Sequence, residues 1–387
     1  MPHASLRLIL CLSLFISVTT DLQSEERRFV SNPRMTLGTG ANLSAAVRIA
    51  DLNGDGQPDV VVANGRHWPQ QNYIFFNQGR AKFNLQRPLG KDLSTSYATE
   101  PADLDGDGDL DIAVGNDMAP HQIFFNNGTG VFTAGPPFGD ISSVRSLTVT
   151  DIDQDGDIDI LSTCRGRTNQ IFLNDGAGNF PTERTFGTRT DSTIDVGVVD
   201  WNRDGHLDLV LANRDDQTNA ILINDGKLNF AKTIPFGTPE EQTRSIAIAD
   251  INGDQHPDIV AGNVGQANRV ILGDGEGGIL REFPFGREDG RTYTLAVGDM
   301  NNDGLIDIVA GNVGQPNTVS FNNGTEASLV DVNFGEADHA TYGLDIGDLD
   351  NDGFLDITVA NSNAQNAFFL NRPSNRGTRA DRKKNKR

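Results

Sequence analysis

One acidic nonapeptide, D-x-[DN]-x-D-G-x-x-D, recurs seven times along this 387-residue chain, with a single departure at its sixth position. The copies begin at Asp51, Asp103, Asp151, Asp200, Asp250, Asp299 and Asp348, so the start-to-start spacings are 52, 48, 49, 50, 49 and 49 residues. A fixed period of that size marks a solenoid, a propeller or an array of like units. Any fold assigned to the chain has to be built from seven near-equal pieces.

The nonapeptide places oxygen side chains at positions 1, 3, 5 and 9. The sets are Asp51, Asn53, Asp55 and Asp59; Asp103, Asp105, Asp107 and Asp111; Asp151, Asp153, Asp155 and Asp159; and Asp200, Asn202, Asp204 and Asp208. The last three are Asp250, Asn252, Asp254 and Asp258; Asp299, Asn301, Asp303 and Asp307; and Asp348, Asp350, Asp352 and Asp356. Clustered oxygens suit a hard cation, and Ca²⁺ takes about 6–8 of them in a flexible shell, a backbone carbonyl at position 7 included. Glycine at position 6 permits the sharp turn. The fifth copy carries Gln255 there and is expected to be strained or weakly occupied. Aspartate, asparagine and glycine also make ordinary turns, but seven turns with one ligand spacing are a metal pattern. An EF-hand is excluded: position 12 is apolar, as at Val62 and Val114, where that loop needs a bidentate glutamate. The expectation is up to seven Ca²⁺, one per unit.

These loops account for much of the formal net charge of −21. A cationic face for phosphate is lacking in the repeats, so nucleic acid is excluded as a partner of the core. Residues 1–20 read as a secretory signal, with an apolar stretch from Leu8 to Val18 followed by small residues. That stretch is too short to span a bilayer, and no other segment reads as transmembrane. The expected location is secreted, cell-surface or periplasmic. Cys11 lies within the stretch, which leaves Cys164 without an intrachain partner. Residues 373–387 are polar and basic and read as a disordered tail that could tether the protein electrostatically to an anionic surface.

Between loops, each unit offers four short strands separated by Gly, Asn and Asp turns. In the fifth they are Ser245 to Ala249, Asp258 to Gly262, Arg269 to Leu272 and Ile279 to Phe283. Four-stranded units of this length, repeated seven times, predict an all-β, seven-bladed propeller. A Phe-Gly or Leu-Gly pair ends six units, from Leu89-Gly90 to Phe334-Gly335. The seventh unit lacks its fourth strand, and the segment from Phe29 to Gly38 is expected to supply it, closing the ring.

The coincidence of loop, Phe-Gly pair and period resembles the FG-GAP/VCBS repeat family, including the seven-bladed propellers of integrin alpha subunits. The resemblance covers about residues 28–372. It implies calcium in the loop between the first and second strands of each blade, and a role in adhesion. Integrin-type domains beyond the propeller are not found in this sequence, which argues against a receptor of integrin type.

Ligand contacts are expected on the face opposite the loops, where the segments between second and third strands vary most between units; Trp68 lies in one of them. The residue six before each first ligand reads Ala45, Tyr97, Arg145, Ile194, Arg244, Tyr293 and Tyr342. Tyrosine faces and guanidinium forks suit sugars or acidic ligands, so Trp68, Tyr97, Arg145, Arg244, Tyr293 and Tyr342 are the candidate ligand contacts; packing in the channel mouth is the competing role. Arg48, Glu100 and Asp345 share a position three residues further on and read as a mutually satisfied charge cluster. No G-x-S-x-G, H-E-x-x-H, C-x-x-C or phosphate loop is present, and no catalytic residue is assigned. The sequence favours a binding or adhesion module for a glycan or an extracellular protein. A lyase or hydrolase acting on polysaccharide, with His67, His121 and His339 as the histidines to inspect, and a structural envelope or matrix protein are the alternatives.

Overall fold

The computed structural model of the protein describes residues 27–324 and 329–374. The signal segment and almost all of the basic tail lie outside the described residues. Those described form seven antiparallel sheets, six of four strands and one of five, with no helix among them. The innermost strands are Ser44–Ala50, Ser96–Ala102, Val144–Thr150, Thr193–Val199, Thr243–Ala249, Thr292–Gly298 and Thr341–Gly347. Each touches the next around a ring, and the seventh touches the first. The chain is a seven-bladed propeller.

The burial of each strand follows its radial place. All residues of the second strands, from Asp59–Asn64 in blade 1 to Asp356–Asn361 in blade 7, are buried. A strand covered on both faces by neighbouring blades reads as a continuous apolar run, as in Asp-Val-Val-Val-Ala-Asn of blade 1. The outer strand of that blade, Leu85–Pro88, is exposed throughout. The core is therefore a ring of clusters lying between blades. One joins Trp201, Val210 and Ile221 of blade 4 to Ile246, Ile259 and Ile271 of blade 5.

The seventh blade takes its edge from the start of the chain. Arg27–Val30 pairs antiparallel with the third strand, Asn366–Pro373, and Thr36–Leu37 pairs further along the same strand. The edge comes in two pieces because a turn intervenes, in which the Asn32 carbonyl accepts the Met35 N–H at 2.8 Å. Phe29 packs its ring 5.7 Å from Phe334 of blade 6.

Two sets of asparagines sew the blades together. An asparagine ending the third strand donates from Nδ2 to the carbonyl of loop position 2 in the preceding blade: Asn77 to Leu349, Asn126 to Leu52, Asn174 to Leu104, Asn322 to Ile251 and Asn371 to Met300, all at 2.7–2.9 Å. On the opposite face, relays such as Asn169 Nδ2 to Thr193 Oγ1 to Asn213 Oδ1 cross from one blade to the next at 3.0 Å per step. Between blades 2 and 3 the relay positions hold His121, Val144 and Cys164 instead, and the His121 ring packs against Phe138 and Phe172.

Candidate metal loops and the opposite rim

The seven nonapeptides join first to second strands at one end of the blades, as the pattern predicts. Their backbones wrap the carboxylate at position 1. Asp51 accepts the N–H groups of Gly54 at 2.9 Å, Asp55 at 3.2 Å and Gly56 at 2.8 Å. Position 5 accepts the N–H of position 7 in every loop, for example Gln57 to Asp55 at 2.9 Å. The apolar residue at position 2 roots the loop in the core; Leu52, Leu104, Ile152, Trp201, Ile251, Met300 and Leu349 are all buried.

Position 9 is the deepest. Asp59 is fully buried, with Oδ2 accepting the Leu52 N–H at 3.2 Å and Oδ1 the Asn77 N–H at 2.8 Å. The same pair of bonds recurs in the other loops, as at Asp307, which accepts from Met300 and Asn322 at 2.8 Å each. Burial pushes the Asp59, Asp307 and Asp356 carboxyls up to about 7, although these N–H groups hold them down and neighbouring loop carboxylates push further. Asp111, Asp159 and Asp258 are raised to about 6 for the same leading reason. Carboxylates held apart from water and crowded by like charge are disfavoured as anions unless a cation joins them.

The donor set fits such a cation. In the three loops with aspartate at position 3, the carboxylates of Asp103, Asp105 and Asp111, of Asp151, Asp153 and Asp159, and of Asp348, Asp350 and Asp356 bring oxygens within 4.8 Å of one another. The other four place an asparagine amide at position 3. Two loops differ from the rest. Gln255 holds a left-handed φ of 68° where the others have glycine. In the seventh loop, Arg372 donates to Asp350 and, at 2.6 Å, to Asp352, so a guanidinium already bridges two of its oxygens.

The other face is built on a device invisible to period counting. In all seven innermost strands the pairing skips one residue, and the skipped residues are Ala45, Tyr97, Arg145, Ile194, Arg244, Tyr293 and Tyr342. A β-bulge re-aims the extra side chain, and these seven line the mouth of a cavity of about 310 Å³ in the central channel. Tyr293 and Tyr342 meet edge to face with ring centres 4.8 Å apart. The Arg244 guanidinium lies 4.6 Å from the Tyr293 ring centre, and that of Arg66, from the segment between second and third strands, lies 3.8 Å from the Tyr342 centre. Arg145 pairs with Asp117 at 3.2 Å.

Tyr97 is only 5 % exposed, and its hydroxyl sits 3.0 Å from His67 Nε2. Its ring is a wall, while Trp68, 71 % exposed, stands free in solvent. Deeper in the channel Arg48 binds Glu100 at 2.8 Å. Asp345 instead accepts the Ile49 N–H at 2.8 Å, and Asp195, unnoticed in the sequence, accepts that of Ile246 at 3.0 Å. The cluster is therefore three carboxylates around one guanidinium, with N–H groups supplying what charge pairing does not. Burial raises all three carboxyls.

Of the three histidines singled out, the structure removes one from the open face. His121 lies in a strand and is fully buried between aromatic rings. The bulge, the buried position 2 and the interblade asparagines escaped the sequence reading. The asparagines and the apolar position 2 had a signal, since both recur with the period of the loops.

Among solved structures, two of BBS1N in complex with ARL6DN share this fold. The one soaked with mercury has TM-score 0.58 and 14 % identity, covering 89 % of this chain and 97 % of that chain. The one soaked with lead has TM-score 0.57 and 13 % identity, covering 91 % and 98 %. No curated protein sequence matches the chain significantly. The model of the FG-GAP-like repeat matches six overlapping segments, residues 51–114, 103–162, 151–211, 200–261, 250–310 and 299–359. With the same unit repeated through most of its length and seven blades closed into one ring, the chain belongs to the FG-GAP-like repeat family.

Proposed function

We propose that this protein is an exported, calcium-held binding module that takes a glycan or an extracellular protein on the face opposite its metal loops. One observation carries the reading: seven bulges turn the strand residues of every blade toward a single channel mouth, and five of the seven side chains gathered there are tyrosine or arginine. A frame of identical blades needs no such variety for stability, and variable residues on a rigid repeat are where recognition resides. Solved propellers of the same fold in complex with a protein support the use of this architecture for binding. Calcium at the loops would offset the cost of keeping the position 9 carboxylates ionised while buried among like charges. Seven such staples would suit an exported protein whose one cysteine among the described residues, Cys164, is free.

The test is binding of the purified mature chain to arrays of glycans and matrix proteins, in millimolar calcium and again in chelator. A calcium-dependent hit weakened by substitution of Tyr293 and Tyr342 is the expected result. A folded protein that binds nothing on either array sinks the reading.

A further inference from the structure

The channel mouth gathers positive charge, above the Glu100, Asp195 and Asp345 carboxylates that surround Arg48 deeper in the same channel. The chain as a whole carries −21. Here, four guanidiniums, of Arg66, Arg145, Arg214 and Arg244, converge, and the carboxylates beside them, Asp117 and Asp215, are already engaged by Arg145 and Arg165. Nε of Arg66, Arg214 and Arg244 is in each case buried without a hydrogen-bond partner. Among the described residues, the Arg66 guanidinium has one hydrogen-bond partner, the Ser362 hydroxyl 3.1 Å from Nη2. The three side chains are half-buried, and leaving a buried donor of a cation unpaired is costly. Packing the mouth would be served as well by the apolar residues that blades 1 and 4 place there, Ala45 and Ile194. Burial brings the Arg244 guanidinium down to about 10; Tyr293 resists this, and the neighbouring Arg214 charge adds to it.

We infer that this mouth is an anion site in which Arg244, backed by Arg66 and Arg214, binds the carboxylate of an acidic saccharide. The inference deepens the binding reading above and rests on it. A guanidinium presents a planar fork of donors matched to a carboxylate. Tyr293 and Tyr342 hold the forks of Arg244 and Arg66 over their faces, so the donors are fixed before the ligand arrives. A cavity of about 310 Å³ is at the small end of ligand pockets and takes a sugar ring more readily than a folded partner. The aromatic edges and the Ser245 and Thr294 side chains lining the same cavity offer the mixed apolar and hydroxyl surface a pyranose presents.

The experiment is calorimetric titration of the full mature chain, in calcium, with three probes: a galacturonate trisaccharide, its methyl ester and a hexaglutamate peptide. Wild type is expected to bind the free acid, and to bind the ester weaker by roughly tenfold or more, since a charge-assisted hydrogen-bonded pair is lost. Arg244→Gln should weaken the acid by a similar factor while its thermal midpoint holds or rises, because an uncompensated buried charge has been removed. A merely structural arginine would lower the midpoint and leave the acid-to-ester ratio unchanged. Should Arg244→Gln not fold, Arg214→Gln and the acid-to-ester ratio of wild type carry the same test. Equal binding of acid and ester, or an Arg244→Gln protein that binds like wild type, overturns the anion site and leaves the binding module standing. Arginine-dependent binding of the peptide alone overturns the saccharide. No binding of any probe overturns the inference, and the array then decides the wider reading separately.

Discussion

Gln255 shows how far one side chain can be tolerated at a position that the turn reserves for glycine. Its φ of 68° is left-handed. A β-carbon built on the corresponding glycine of any other loop, such as Gly56 or Gly304, meets nothing within 4 Å. The cost is thus in the backbone and not in a clash, on the order of 1 kcal/mol. Gln255→Gly should raise the stability by about that amount and tighten calcium at the fifth loop; thermal melts with and without calcium check it, and a lowered midpoint would show that Gln255 makes a contact worth more than the strain. His121 is a second local departure. Five blades start the third strand with asparagine and blade 1 has Asn72 just before it; here an imidazole takes over the acceptor role, its Nδ1 3.3 Å from the Asn116 N–H. Its Nε2 has no partner, and burial holds its pKa down at about 4. A depressed histidine is neutral in the folded state where the unfolded chain, near 6.5, is already protonated. Its contribution is intact above about 6.5 and drains away between there and about 4, by up to roughly 3 kcal/mol. His121→Asn should flatten the fall in stability across that window compared with wild type; parallel pH profiles for the two proteins would show that His121 does not set it.

At the scale of strands, the four-strand unit and its loop were legible because each depends on local spacing. The second strand is an apolar run closed by Asp at one end and, in six blades, Asn at the other, and the turns carry Gly, Asn and Asp. The bulge was not legible. It is a one-residue difference between two paired strands, and a sequence shows each strand without its partner. The residues it selects were nevertheless found, since counting back from the loop lands on the skipped position in every blade. The closing edge was legible as a segment but not as two pieces. Its break follows from Pro33, which cannot donate to a ladder, and from the Asn32 turn around it. This edge contributes to the core as well as to the sheet, because Phe29 packs against Phe321 and Phe334 of blade 6. Phe29→Ala should cost about 2 kcal/mol, less than a fully buried phenylalanine because the ring is half-buried. Removing the chain through Leu37 should cost far more, and a truncated protein melting at the wild-type midpoint would mean the ring closes without it.

For the molecule as a whole, the two faces divide the labour: carboxylates collect at one, guanidiniums and tyrosines at the other. The loops are not seven independent sites. Five asparagines, Asn126 among them, tie the carbonyl of position 2 in one loop to a backbone N–H that binds the position 9 carboxylate of the next, while Asn224 of blade 4 donates from Nδ2 to Leu207 of its own blade. Disturbing one loop therefore loosens its neighbour. At blade 5 the asparagine is replaced by Gly273, where a β-carbon would meet the Pro257 carbonyl at 2.4 Å and the Trp201 ring at 3.1 Å; the bulk of Trp201 has taken the place of the tie. Calcium at extracellular loops is commonly bound with Kd of about 0.1–1 mM. On the proposed reading, at millimolar calcium and the tighter of these, each occupied site would add about 1.4 kcal/mol, and seven, before any coupling between them, on the order of 10 kcal/mol, as much as a domain's whole stability. Chelator should accordingly lower the melting temperature steeply, and the ties predict one transition in place of a series. Asn174→Ala cuts the tie between blades 2 and 3, and at roughly 2 kcal/mol for buried bonds lost it should broaden or split that transition. A midpoint indifferent to chelator would remove calcium from the account of the fold, and a sharp single transition in the Asn174→Ala protein would show that the apolar clusters between blades carry the cooperativity without the asparagines.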